Sequence, residues 1–187
     1  IKDAQQDNSK QIAQIETAIL RNPDLLIVAP NERGPLTKVM GKAMDAGIQV
    51  ICLERDILEP NFTTFIGSDN RKIGRLAGQF IVDYLKGKNG SPSGNLVHMR
   101  GLLGVEGEIN RHGGAQEIIE QYPDIKIIKG PVADWLQSRA RERMTEVLSV
   151  ELEIDVVYGH NDPMAVGAFL AAKEVGREQE MIFIGID

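Results

Sequence analysis

Four apolar segments of this sequence lead directly into charged or amide side chains, and these side chains are its best candidates for chemistry. The pairs are residues 50–53 with Glu54 and Arg55, residues 65–67 with 68–70, residues 156–158 with Asn161 and Asp162, and residues 182–186 with Asp187. In an open parallel sheet, ligands bind beyond the carboxyl ends of the strands. Carboxylates, amides and guanidinium groups together accept and donate hydrogen bonds, so the pattern predicts a polar small-molecule site.

Other residue types that could support catalysis do not form a catalytic pattern. Cys52 lies within an apolar segment, which is typical of a small buried hydrophobe rather than a nucleophile. The histidines lack metal-ligand spacing such as His-Glu-x-x-His; they are His98, His112 and His160. The glycine-rich residues 101–107 match neither a dinucleotide-binding loop nor a P-loop, and there is no Gly-x-Ser-x-Gly elbow. We therefore expect no enzyme activity, cofactor or metal from these residues.

The composition is that of an ordinary globular protein. The chain has 187 residues, of which 42% are hydrophobic and 26% charged, enough for one or two cores. Its formal net charge of -6 argues against nucleic-acid binding, since nucleic-acid-binding domains usually carry a basic face. No apolar run approaches the roughly 20 residues that span a bilayer, and no signal-peptide pattern is present.

Helical and strand patterns alternate along the chain. Helices are predicted at about 8–22, 35–47, 70–86, 108–122, 134–149 and 163–175. Strands are predicted at about 25–29, 48–53, 65–67, 95–99, 125–129, 154–158 and 181–186. Asn8 and Ser9 offer a cap for the first helix, Pro35 fits a first helical position, residues 25–29 suggest a strand buried on both faces, and residues 87–94 suggest a surface loop. This alternation predicts an α/β fold with parallel sheets and helices on both faces.

The two ends of the sequence suggest a larger domain. Residues 1–3 resemble the end of a strand, and the last predicted strand is followed by no helix. Sheets cut at these points would expose strand edges. We therefore expect the chain to be truncated at both ends and, on its own, unstable or prone to aggregation.

Several segments together carry a family resemblance. They are residues 48–55, 67–70, 73–74, 77–78, 111–115, 161–165 and 185–187. In order and spacing they resemble the type I periplasmic sugar-binding proteins of the ribose-binding kind. The resemblance implies two Rossmann-like lobes, residues 1–69 and 70–187, which close on a sugar by a hinge. The first crossing between lobes would be at 68–70, although Asp69 and Asn70 would serve equally well as a plain helix cap.

The resemblance also implies a set of sugar contacts. By position they are Glu54, Arg55, Arg111, Trp135, Asn161 and Asp187. Arginine holds two oxygens with one planar fork, and the chain's single tryptophan would offer an apolar face to the sugar ring. Where the family has an aspartate, this chain has Glu54, so the identity of the sugar is not carried over.

Each candidate has a purely structural alternative. Glu54 and Arg55 would also fit a solvated pair, Arg111 a surface position, and Trp135 a staple at a helix start. Asn161 and Asp162 would also fit a cap, and the family pattern favours Asp162 as the cap with Asn161 facing the ligand.

The resulting prediction is a receptor for a monosaccharide, with no catalytic residues. Its partner would be a membrane permease, if the protein serves transport, or a transmembrane histidine kinase, if it is a sensor. A sensor would be expected to form a homodimer, and either role places the protein in the periplasm. The alternatives are the effector-binding core of a LacI-type repressor and a carbohydrate-active enzyme of the same architecture.

Overall fold

The computed structural model describes residues 1–128 and 130–186, and contacts divide these into two compact units. The first unit contains Ile1–Asp69 and Gly104–Gly107. The second contains Asn70–Leu103 and the described residues that follow Gly107. Each unit is built on its own parallel sheet, which confirms the predicted α/β class.

The first unit has a three-stranded sheet in the order β1-β2-β3. Its elements are α1 (Asn8–Ile19), β1 (Leu25–Val28), α2 (Arg33–Asp45), β2 (Gln49–Leu53) and β3 (Thr64–Ile66). The cap of α1 is Asp7, whose side chain accepts from the Lys10 amide at 2.9 Å, so the predicted cap at Asn8 and Ser9 is one or two residues late. The start predicted for α2 at Pro35 is also late, because the helix begins at Arg33 and takes the proline into its first turn, where a missing N–H costs little.

Only one face of the first sheet is covered. Side chains of α1 and α2 pack with Val28, Val50 and Cys52 in one hydrophobic cluster. The alternate side chains of β1 lie on the opposite face, where Leu25 is 46% and Ile27 is 62% exposed. The prediction that β1 is buried on both faces is therefore wrong.

The second unit has a four-stranded sheet in the order β5-β4-β6-β7. Its helices are α3 (Asn70–Asn89), α4 (Glu106–Ile119), α5 (Gln137–Val150) and α6 (Asp162–Glu174). Its strands are β4 (Gly94–Met99), β5 (Ile125–Ile128), β6 (Val156–Gly159) and β7 (Ile182–Ile184). Among the described residues, no helix is long and apolar enough to cross a membrane.

Helices cover both faces of this second sheet, as predicted. Along β4, Leu96 packs with side chains of α3 and α4, whereas its neighbour Val97 packs with side chains of α5 and α6. Period-two alternation of a buried strand produces these two separate clusters. Several boundaries differ from the prediction: α3 extends through Gly87 to Asn89, α4 begins at Glu106 rather than Glu108, and α5 begins at Gln137 rather than Asp134.

Glycines allow α3 and α4 to pack backbone against backbone. A Cβ at Gly74 would lie 2.3 Å from the Arg111 carbonyl oxygen, and a Cβ at Gly114 would lie 2.2 Å from the Arg71 carbonyl oxygen. Gly78 would meet the Ala115 carbonyl oxygen at 2.8 Å in the same way. This close approach sets the distance between the first turn of α3 and Arg111 on α4.

We expect Gly74→Ala to destabilise the second unit by about 1–3 kcal/mol, because the added methyl would push two backbones apart. Gly87→Ala on the same helix is the matched control, since a Cβ there meets nothing within 4 Å. That control should raise stability by about 0.5–1 kcal/mol through helix propensity. Urea denaturation followed by circular dichroism measures both changes, and equal effects would contradict the tight contact.

Candidate functional site

Arg111 is the most constrained of the predicted ligand residues. Its side chain lies on α4 and is only 9% exposed. Nε donates to Asn70 Oδ1 at 2.8 Å, and Nη1 donates to the His160 carbonyl oxygen at 2.5 Å. A guanidinium has five N–H groups in a planar fork, so two fixed bonds determine its orientation. The surface position considered for Arg111 from the sequence is therefore not what the structure shows.

Trp135 lies next to Arg111 on a loop with an unusual backbone. Asp134 and Trp135 have φ angles of 49° and 68°, in the left-handed region that L-residues rarely adopt. The Arg111 Cζ lies 5.9 Å from the centre of the indole ring, within range of a cation–π interaction. The ring also covers Gly101, where an added Cβ would approach it to 2.5 Å. Because α5 begins at Gln137 with Leu136 as its cap residue, Trp135 lies directly before the cap and packs against the cluster that contains Ala140, so the staple considered from the sequence also fits the structure.

Asn161 completes this group in the second unit. Its Oδ1 accepts from the Met164 amide at 3.0 Å, and its Nδ2 donates to the Trp135 carbonyl oxygen at 3.2 Å. Asn161 is thus the cap of α6, while Asp162 is its exposed first residue. The predicted division of labour, with Asp162 as the cap, is wrong because the amide of Asn161 already caps the helix. The structure therefore brings together Arg111, Trp135 and Asn161.

Glu54 and Arg55 follow β2 in the first unit. Glu54 is exposed and has a φ of 67°, and its amide donates to the Ile66 carbonyl oxygen at 2.7 Å. The half-buried Arg55 donates from Nη1 to the Asn31 carbonyl oxygen at 3.1 Å. The remaining predicted contact, Asp187, lies outside the described residues.

Cys52 is buried at the end of β2, as expected from its apolar neighbours. Its side chain is 0% exposed, and Sγ donates to the Arg55 carbonyl oxygen at 3.0 Å. Burial, with a smaller contribution from Asp56, raises the pKa of this thiol to about 11. A neutral thiol at physiological pH is a poor nucleophile, so its role is to pack and to hold the Arg55 turn.

Three histidines that are distant in sequence come together in the second unit. One ring nitrogen from each of His98, His112 and His160 lies within 4.8 Å of the others. His98 and His160 are 1% and 0% exposed, and their Nε2 atoms are 2.8 Å apart. Sequence spacing did not predict this cluster because its members come from β4, α4 and the residue after β6. Parallel strands and a packed helix bring them together only in the fold.

Burial keeps these imidazoles neutral. Burial lowers the pKa of His98 to about 3, with smaller contributions from His112 and Arg100. The pKa of His160 is also well below its ordinary value, first because of burial and then because of neighbouring positive groups. The pKa of the half-buried His112 falls for the same first reason. The cluster therefore carries hydrogen bonds and no charge at neutral pH.

A family model described as "Periplasmic binding protein domain" matches residues 1–187. The chain belongs to this family. The resemblance to type I periplasmic sugar-binding proteins is thereby confirmed. Relatives include the xylitol-binding protein of Mycolicibacterium smegmatis, 33% identical over 98% of this chain and 51% of that protein. The galactofuranose-binding protein of Escherichia coli is 34% identical over 94% of this chain and 56% of its own length.

Solved structures agree with the family assignment. The fructose-binding periplasmic domain of a hybrid two-component system is 42% identical, with a TM-score of 0.94 over 100% of this chain and 61% of that one. A solute-binding protein from Bacillus halodurans with bound myo-inositol is 34% identical, with a TM-score of 0.91 over 100% of this chain and 63% of that one. The chain thus spans a little more than half the length of the curated relatives it matches.

The histidine cluster should make the fold acid-sensitive. The ordinary histidine pKa is 6.5 and the folded value of His98 is about 3, so below pH 6.5 the unfolded chain binds more protons than the folded one. The free energy of unfolding should therefore fall as pH drops from 6.5 to 5, by at most about 1.4 kcal/mol per pH unit for each fully buried histidine. Urea denaturation at several pH values checks this.

His98→Gln removes one titrating group and is the matched control for the acid effect. Its stability should change less steeply with pH than that of the wild type between pH 6.5 and 5. Equal slopes for the two proteins would contradict a neutral, buried His98.

Proposed function

We propose that this chain binds a monosaccharide and that Arg111, Trp135 and Asn161 are among its ligand contacts. The observation that carries the proposal is the fixed guanidinium of Arg111 beside the indole of Trp135. A buried, oriented donor fork next to a flat apolar ring suits a molecule with hydroxyls on its edge and C–H groups on its face.

The wider network supports ligand recognition by preorganised groups. Arg111 is held by Asn70 and by the His160 carbonyl, so its conformational entropy is already lost before a ligand arrives. Asn161 is fixed by its bonds to Met164 and to the Trp135 backbone. Left-handed residues such as Trp135 store backbone strain, which is concentrated at functional sites.

The ligand class follows from the same chemistry and from the relatives. Arg111 and Asn161 supply donors and an acceptor that match neutral hydroxyl groups. Relatives are named for xylitol, galactofuranose and ribose, and a structural neighbour for fructose. We therefore infer a neutral five- or six-carbon sugar or polyol. Glu54 and Arg55 remain proposed contacts from the first unit, and Asp187 remains a proposal from sequence alone.

Two uses of such binding are supported by specific relatives. The 42% identity to a periplasmic domain of a hybrid two-component system favours a sensor that acts on a histidine kinase. The 29% identity to the ribose import binding protein of Bacillus subtilis, over 100% of this chain and 58% of that protein, favours a receptor that delivers sugar to a permease. We place the sensor role first. Both uses imply an extracytoplasmic location, and the sensor role would be compatible with a homodimer.

A thermal-shift screen with pentoses, hexoses and polyols tests the proposed function. A ligand at about 100 times its dissociation constant should stabilise the folded protein by about 2.7 kcal/mol. Arg111→Lys keeps the charge but loses the planar fork, so it should weaken binding by about 10–100-fold, as expected for a lost charged hydrogen bond. Isothermal titration calorimetry measures the affinity.

Arg143→Ala is the control for Arg111→Lys, because it removes an exposed arginine of the same unit that pairs with Glu146. It should leave sugar affinity unchanged. No response to any sugar or polyol would refute the proposed function, and consumption of the sugar would favour an enzyme instead.

Substitutions of Glu54 should distinguish the effect of its backbone conformation on stability from the effect of its carboxylate on sugar affinity. Its φ of 67° suits glycine, so Glu54→Gly should be more stable than Glu54→Ala by about 1 kcal/mol. Both variants lack the carboxylate, so both should weaken sugar binding to a similar extent. Denaturation and calorimetry measure the two properties, and unchanged affinity in both variants would remove Glu54 from the site.

A further inference from the structure

The histidine cluster is buried and is not among the proposed ligand contacts. His98 and His160 are almost completely shielded from water, and a fully buried polar ring is retained at a cost unless its nitrogens are used. Ring centroids of His98 and His160 are 5.0 Å apart, and that of His112 is 4.8 Å from His98. The hydrogen bonds of the cluster show what it holds in place.

The protons of the pair are assigned by its neighbours. The Gly101 amide donates to His160 Nδ1 at 3.4 Å, so the neutral His160 ring carries its proton on Nε2. That proton faces His98 Nε2 at 2.8 Å, which must accept it. His98 therefore carries its own proton on Nδ1, which has no hydrogen-bond partner among the described residues. One directional chain then runs from Gly101 through His160 to His98.

His160 also contacts both main candidates for ligand binding. Its carbonyl oxygen accepts from Arg111 Nη1 at 2.5 Å. Its ring centroid lies 6.2 Å from that of Trp135. Gly101, which donates to the His160 ring, lies directly beneath the Trp135 ring, where an added Cβ would approach to 2.5 Å. His160 therefore contacts Arg111 through its backbone and Trp135 through its ring.

We propose that His98 and His160 are positioning residues. Their hydrogen bond fixes the backbone at His160 and thereby sets the orientation of the Arg111 guanidinium and the position of the Trp135 ring. The importance of this for sugar binding rests on the proposed function. The positioning itself is a property of the protein without ligand and is measurable in its absence.

Three imidazoles could also bind a transition metal, but the surroundings favour positioning. Metal coordination through His160 Nε2 would require its proton to move to Nδ1, which already accepts from Gly101. The positive charges of Arg100 and Arg111 also oppose a divalent cation beside His160. Three further groups face the cluster, namely Glu108, Glu120 and Tyr158.

Two substitutions of His98 distinguish these roles. His98→Gln keeps an acceptor, since its Oε1 can receive the His160 Nε2 proton. His98→Leu has a similar volume and no acceptor, so it leaves that buried donor unpaired. Leu85→Ala on α3 is the control for loss of stability alone, because Leu85 is 0% exposed and packs in an apolar cluster whose members do not include Trp135.

The measurements without ligand are the fluorescence of Trp135, the only tryptophan of the chain, and the ¹⁵N NMR signal of Arg111 Nε–H. His98→Leu should shift the emission, raise acrylamide quenching at least twofold and weaken the protected Nε–H signal. His98→Gln and Leu85→Ala should resemble the wild type in all three. Sugar affinity should fall at least tenfold in His98→Leu and less than threefold in the other two.

Three outcomes would overturn the proposal. His98→Leu could leave both ligand-free signals unchanged, or His98→Gln could fail as severely as His98→Leu at equal stability. Alternatively, Co²⁺ could bind the wild type with tetrahedral absorption bands that both His98 variants lose, which would make the cluster a metal site. If the wild type binds no sugar, the proposed function fails, while the fluorescence and NMR signals still decide the positioning role.

Discussion

The backbone contact between α3 and α4 is the constraint on which the proposed ligand contacts of the second unit depend. Gly74 and Gly114 let the two helices approach until carbonyl oxygens occupy the space of side chains. This approach places Asn70, at the first turn of α3, within 2.8 Å of the guanidinium of Arg111. A methyl group at either glycine would separate the helices by more than a hydrogen bond can stretch.

Arg111 then connects that helix pair to the sheet. A guanidinium with 9% exposure loses most of its hydration, and the structure compensates with an amide oxygen, a main-chain carbonyl and the face of an indole. The carbonyl belongs to His160, whose neutral ring is hydrogen-bonded to that of His98. Charge, hydrogen bonds and ring packing in this region are therefore interdependent.

Much of this arrangement could be predicted from sequence, because its signals are local. Alternating apolar periods predicted the strands and helices, and polar residues at strand ends predicted Arg55 and Asn161 at the edges of their sheets. The exposed face of β1 could not be predicted, since a continuous apolar segment has the same sequence pattern whether one or both faces of the strand are covered. The cap at Asn161 is a local contact with the Met164 amide, which the sequence offered for Asn161 and Asp162 alike. The histidine cluster depends on long-range contacts, which residue spacing does not encode. The family resemblance singled out Arg111 and Trp135, for which residue patterns alone would have suggested a surface position and a helix staple.

Left-handed backbone at two of the proposed contacts limits which side chains can stand there. Glu54 and Trp135 both have φ near 70°, where β-branched residues clash with their own backbone. Valine, isoleucine and threonine are therefore unsuitable at these positions, whereas glycine, asparagine and aspartate fit without strain. A library designed to alter ligand preference should use residues without β-branching at positions 54 and 135, because the backbone geometry limits the tolerated residue types whatever the ligand.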